Sequence, residues 1–95
     1  MKIAVTYENG QVFQHFGHTE QFKIYEAAEG KVVSARVVET GGSGHGALAG
    51  FLRGLGVDTL ICGGIGGGAR SALAEAGIQL YPGASGSADA QVEAL

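Results

Sequence analysis

The chain has 95 residues, with nine acidic and six basic side chains, and its formal net charge at pH 7 is -3. This length fits one domain over residues 1–95, and a domain this small buries so little surface that homodimerisation or a bound cofactor would help to stabilise it. The basic residues are scattered singly, whereas binding to nucleic acid requires clustered positive charge. We therefore expect no nucleic-acid partner.

Cysteine usage and hydropathy favour a cytoplasmic protein. Cys62 is the only cysteine, so no internal disulfide can form, and the opening MKIAVTY becomes polar too quickly for a signal peptide. No apolar run approaches the roughly 20 residues of a membrane-spanning helix. These features predict a location in the reducing cytoplasm and no membrane partner.

Alternating and β-rich segments predict three strands in the first half of the chain. The first covers residues 2–7 and ends at the turn signal Asn9-Gly10. Residues 21–26 and 31–39 follow with a turn between them. This spacing is typical of a β-hairpin.

Helices and strands alternate in the second half. Apolar residues recur at helical spacing from Leu48 to Leu55, and the run VDTLIC is typical of a strand buried on both faces. The predicted elements are a helix over 45–55, a strand over 57–62, a helix closed by Gly77, a strand over 78–81, and a helix over 89–95 with Asp89 or Ser87 as its N-cap.

The element order β-β-β-α-β-α-β-α predicts an α/β fold with a mixed five-stranded sheet. If the second strand runs antiparallel to the first and third, the other four strands point the same way. Their following loops then emerge at one edge of the sheet, where ligands of parallel sheets bind.

Three histidines and the cysteine follow strands at that predicted edge: His15, His18, His45 and Cys62. Imidazole and thiolate bind iron, zinc, copper or iron-sulfur species, and ligand softness does not choose among these. In the alternative interpretation, the histidines are solvated and the cysteine is a small buried apolar residue.

A glycine-rich segment, GGIGGGAR, follows a strand and opens a helix. Such a segment can expose helix N-terminal N–H groups to an anion, or it can simply let the helix pack close to its strand. The residues that would form an anion or cofactor cradle are Gly17, Gly63, Gly64, Gly66, Gly67, Gly68 and Arg70. The acidic residue of a dinucleotide fingerprint is missing from the next strand, and no catalytic constellation is evident, so we expect a protein that is not an enzyme.

Several motifs together resemble the dinitrogenase iron-molybdenum cofactor biosynthesis family over about residues 1–83. They are the MKIAV start, H-F-G followed by F-x-I-Y, H-G-A opening a helix, and GVDTLICGGIGGGARSALAEAGIQLY. The resemblance implies a three-layer α/β/α ribonuclease H-like fold without nuclease activity. It also implies a role in binding or carrying iron-sulfur or iron-molybdenum clusters, with cofactor assembly or recipient proteins as partners.

By position, the histidine of the family's H-F-G motif is His15, which makes it the leading candidate for a cluster ligand, ahead of His18. The leading hypothesis is a non-enzymatic carrier of such a cluster. The alternative is a module that binds a small anion without metal or regulates a partner protein.

Overall fold

A mixed sheet with helices on both faces forms the framework of the chain. The computed structural model describes residues 1–41 and 45–95, and the side chains of these except at positions 45 and 46. In chain order the elements are β1 (Lys2–Glu8), β2 (Gln11–Val12), a 3-10 turn (Phe16–His18), β3 (Gln21–Ala28), β4 (Lys31–Glu39), α1 (His45–Gly54), β5 (Thr59–Ile61), α2 (Gly67–Glu75), β6 (Gln79–Tyr81) and α3 (Ala88–Glu93).

The strands lie in the order β4-β3-β1-β5-β6, and β2 pairs with β1. β3 runs antiparallel to β1 and β4, whereas β5 is parallel to β1 and β6 is parallel to β5. The strands β1, β4, β5 and β6 therefore share one direction, as the sequence predicts. The predicted number of five strands is wrong, because β2 makes a sixth. Its two residues are too few for an alternating pattern.

One face of the sheet packs against α1 and α2. Leu48 and Leu52 of α1 and Leu73 of α2 are fully buried there, and they lie against Phe22 and Ile24 of β3. Each fully buried side chain of this size stabilises the fold by about 2 kcal/mol. The helical spacing in the sequence thus identifies the layer that covers this face.

The opposite face packs against α3. Ile3 and Val5 of β1 form a second cluster with Val92 of α3. The helix is capped by Ser87, whose Oγ accepts a hydrogen bond from the backbone N–H of Ala90 at 3.3 Å. Ser87 is one of the two caps expected from the sequence.

The observed strand boundaries follow from pairing. β3 extends to Ala28 because β4 continues beside it, whereas β5 is limited to the three residues that pair with β1. None of the helices within residues 1–41 and 45–95 is long and apolar enough to cross a membrane. The ribonuclease H-like assignment stays a prediction.

Candidate functional site

Two loops join at the edge of the sheet where β1 and β5 end. The backbone N–H of Gly64 donates to the carbonyl oxygen of Gln14 at 2.6 Å, and the N–H of Phe16 donates to the carbonyl oxygen of Gly64 at 3.0 Å. His15 and Gly64 thereby form an isolated parallel bridge. This bridge joins the loop after β2 to the loop after β5, so His15 lies beside the glycine-rich segment.

The first two glycines of that segment are required by close packing against the loop after β2. A Cβ atom at Gly63 would lie 2.7 Å from the Cα of Gln14, and one at Gly64 would lie 2.9 Å from the Gln14 carbonyl oxygen. Real side chains essentially never make such contacts. The Gln14 side chain adds hydrogen bonds from Nε2 to the carbonyl oxygens of Val12 (3.2 Å) and Ala84 (3.1 Å). We call Gly63 and Gly64 the anchored half of the segment.

The later glycines face open space. A Cβ atom at Gly66, Gly67 or Gly68 would meet nothing within 4 Å. Gly66 is the N-cap of α2 and has no side chain to accept from the helix. The first N–H groups of a helix lack intrahelical partners and carry partial positive charge. These three residues, which we call the open half, therefore present uncovered backbone donors at a helix N-terminus.

A cavity of about 610 Å³ lies between the His15 loop and the start of α2. The ring centroids of His15 and His18 are 6.4 Å apart, with the ring planes at 78°, and both residues are exposed. The other side of the cavity is formed by the start of α2. The lining residues are His15, Phe16, Gly17, His18, Gly64, Ile65, Gly66, Gly68, Ala69 and Ala72.

Four of the predicted site residues do not line this cavity: Cys62, Gly63, Gly67 and Arg70. Gly63 is buried in the anchored half, Gly67 starts α2, and Arg70 is exposed in the first turn of that helix. α1 begins at His45, but the His45 side chain lies outside the described residues, so its convergence with His15 and His18 stays a prediction.

Cys62 packs inside the core that lies under α1 and α2. Its side chain is fully buried, and this burial raises the pKa of the Cys62 thiol to about 11, although Arg70 lowers it slightly. Metals bind the thiolate form. In this structure Cys62 lies in the environment expected if it serves as a small buried apolar residue. Its assignment as a ligand stays a prediction.

In the part of the chain that the structure describes, the cavity offers two imidazoles and no larger set of metal ligands. Among the described side chains, no group of three or more His, Cys, Asp or Glu residues could hold a metal ion. Closed zinc sites use four protein ligands and catalytic ones use three. His15 and His18 therefore do not form a complete site for a bare ion with the other side chains described.

The apolar residues of the cavity were not among the predicted site residues. Ile65 is the single large side chain within a run of glycines, and that contrast could have identified it. Ala69 and Ala72 pack against the core, and they also line the cavity.

Known proteins provide independent comparisons. The sequence profile of the family described as dinitrogenase iron-molybdenum cofactor matches residues 1–95. The chain is 40% identical over 87 residues to the FeMo cofactor biosynthesis protein NifB of Sinorhizobium fredii, a match that covers 83% of this chain and 18% of that protein. The chain thus spans under a fifth of the length of that relative.

Two solved structures resemble the whole chain. The crystal structure of PH0822 has a TM-score of 0.94 and 27% identity, covering 99% of this chain and 87% of that one. The apo form of the orange protein from Desulfovibrio gigas has a TM-score of 0.81 and 31% identity, covering 96% of this chain and 82% of that one.

Proposed function

Because the chain belongs to the dinitrogenase iron-molybdenum cofactor family, we propose that it is a non-enzymatic carrier of an iron-sulfur or iron-molybdenum-type cluster in metallocofactor assembly. The observation that carries this proposal is the backbone bridge between His15 and Gly64. It holds the histidine of the H-F-G motif beside a cavity that also borders the open N-terminus of α2.

The ligand set favours an assembled cluster over a bare metal ion. A bare ion would need three or four protein ligands, and the described side chains contain no such group. A preassembled cluster brings inorganic sulfides that already occupy much of the iron coordination, and we propose that the imidazoles of the cavity supply part of the remaining ligands. His15 is the proposed principal ligand, and His18 is the weaker candidate.

The rest of the cavity complements an anionic cluster. The open half places uncovered N–H groups and the positive end of the α2 dipole at one side, and such helix termini bind anions. Because Gly66 and Gly68 have no side chains, a bulky ligand has room to approach the backbone. Ile65 and Ala69 supply an apolar wall for the weakly hydrated sulfide surface.

The lining supports binding rather than chemical conversion. In the described part of the chain, no carboxylate, cysteine or hydroxyl side chain lines the cavity. Retention and release of a cluster need only ligand exchange, and we propose cytoplasmic assembly or recipient proteins as the donors and acceptors. The cavity is open to solvent at exposed His15 and His18, which suits such transfer.

Anaerobic titration tests this function. The protein is mixed with a preassembled iron-sulfur cluster, and binding is followed by the cluster's visible absorption and by gel filtration. We expect a stoichiometric complex with the cluster and no comparable binding of Fe²⁺ or Zn²⁺ alone. His15→Ala should lose most of the binding, and His18→Ala, as a chemically matched control in the same cavity, should lose less.

Two outcomes would contradict the proposal. Equal binding by wild type and His15→Ala would remove His15 from the site. Thermal stabilisation by inorganic phosphate or phosphate esters, without any by a cluster, would instead support the metal-free module that binds a small anion.

A further inference from the structure

The strand β4 is long, lies at the edge of the sheet and pairs with a neighbouring strand on only one side. It pairs with β3 and lies at the end of the sheet order, with no second neighbour among the strands of the described ranges. It has nine residues, compared with three in β6 at the other edge. An edge strand presents a row of unpaired N–H and C=O groups to any strand that approaches, so β4 is the larger of the two open templates.

The exposed side chains of β4 are unusually apolar. Val32 and Val37 are each 44% exposed and Val33 is 65% exposed. Single exposed apolar residues are ordinary, whereas three within six residues of an edge strand offer apolar contact to a partner. A strand with three exposed valines and an unpaired edge is suited to association.

The charges of β4 indicate which partner fits. Its sequence, KVVSARVVE, has valines at matching positions on both sides of Ala35, and it differs between the two directions at Ser34 against Arg36 and at Lys31 against Glu39. We propose that β4 pairs with β4 of a second copy of this chain, antiparallel and about a two-fold axis at Ala35. That orientation places each lysine end beside a glutamate end, whereas parallel pairing would place like charges together.

The register of the sheet brings some of the apolar side chains of β4 to one face. Ala35 pairs with Tyr25 and Val37 pairs with Lys23, and both Tyr25 and Lys23 donate hydrogen bonds to Asp89 of α3. Ala35 and Val37 therefore lie on the α3 side of the sheet.

An irregularity in the pairing of β4 determines the exact match between copies. The register shifts so that Val32 pairs with Ala27 and Val33 is left without a partner on β3. With this bulge in both copies, Val32 lies on the same face as Ala35 and Val37. Val32 of each copy then lies opposite Val37 of the other copy, so one such pair lies on each side of the two central alanines. The two sheets become one continuous sheet.

Disulfide trapping tests the axis. The natural Cys62 is buried, so an introduced surface thiol reacts alone. Directly opposed residues in antiparallel strands lie about 4.5 to 5.5 Å apart between Cα atoms, within the range of a disulfide. Ala35→Cys should form a covalent dimer under mild oxidation, and Ala74→Cys, an equally exposed alanine on α2, should not. Equal trapping of both variants, or of neither, would overturn the proposal.

Charge reversal tests the orientation. Sedimentation equilibrium should show a monomer–dimer equilibrium of the wild type that Lys31→Glu or Glu39→Lys weakens by about tenfold each. The double variant with both reversals should recover most of the wild-type association. A wild type that is monomeric at all concentrations, or a double variant that associates no better than the single ones, would contradict antiparallel self-pairing. Circular dichroism confirms that each variant is folded.

Discussion

The two halves of the glycine-rich segment use the same amino acid for different physical reasons. In the anchored half, Gly63 and Gly64 are glycine because the backbone at Gln14 leaves no room for a Cβ atom. In the open half, Gly66 and Gly68 have no protein atom near the position of a Cβ. Neither packing nor a left-handed backbone conformation requires glycine there.

Within six residues, the anchored half therefore serves the fold and the open half serves the proposed ligand binding. The anchored half holds the loop of His15 against the end of β5 through main-chain hydrogen bonds. The open half leaves the N-terminus of α2 uncovered at the cavity. Substitution in the first should therefore cost stability, and substitution in the second should affect ligand binding.

The largest effect is expected for Gly63→Ala. The new methyl group would lie 2.7 Å from the Cα of Gln14, so the two backbones must separate, and we expect a loss of about 3 kcal/mol in the free energy of unfolding. Urea denaturation measures it. Gly67→Ala is the matched control, since its methyl group would meet no atom within 4 Å. Equal stability of the two variants would contradict the division into halves.

The next effect concerns Cys62, which directly precedes the anchored half, and depends on pH. Burial raises the pKa of its thiol from 9.0 to about 11, so between these values the folded protein keeps a proton that the unfolded chain releases. Stability should therefore fall as pH rises from 9 to 11, by about 2 kcal/mol.

The matched variant for this pH dependence is Cys62→Ala, which lacks the titrating group. Urea denaturation of both proteins at several pH values isolates the contribution of the thiol from those of other residues that titrate in alkali. A difference between the two proteins that does not change from pH 9 to 11 would show that the thiol is not buried in solution.

A smaller effect is expected for Gln14→Ala. This change removes the hydrogen bonds from Nε2 to the carbonyl oxygens of Val12 and Ala84, and we expect a loss of about 1 kcal/mol in the free energy of unfolding. Gln79→Ala serves as the control, because that side chain donates only to the exposed Tyr81 hydroxyl. If the control loses as much stability as Gln14→Ala, the side chain of Gln14 does not help to anchor the segment.

The smallest change in stability, with the opposite sign, is expected for Gly68→Ala. Alanine favours helix more than glycine does, and no clash arises, so stability should rise by about 0.5 kcal/mol. Cluster binding should fall, because the methyl group enters the cavity. Thermal unfolding and the anaerobic titration measure the two effects. Undiminished cluster binding would remove Gly68 from the proposed cradle.

Much of the fold follows from local patterns in the sequence. The helical spacing of Leu48 and Leu52 correctly indicates the face of α1 that is buried, and the apolar run around Leu60 correctly indicates a strand buried on both faces. The common direction of β1, β4, β5 and β6 follows from their order. The two-residue strand β2 escapes prediction because it exists only through pairing with Tyr7 and Glu8.

The candidate site is less accessible to sequence reasoning. The position of His15 at the same edge as the glycines follows from topology, and its bridge to Gly64 agrees with that inference. The sequence does not decide whether Cys62 is buried, because a cysteine at the end of a strand can point into the core or toward the loop. Ile65 was missed since a single side chain has no periodicity.

The sequence by itself determined the helices, every strand except β2, their directions and the edge of the sheet at which the histidine loop and the glycines meet, because periodicity and connection order are local properties of the chain. Only the tertiary structure decided which glycines are packed and which are open. That distinction depends on how closely Gln14 approaches Gly63, two residues far apart in sequence whose backbones meet only after the sheet has formed.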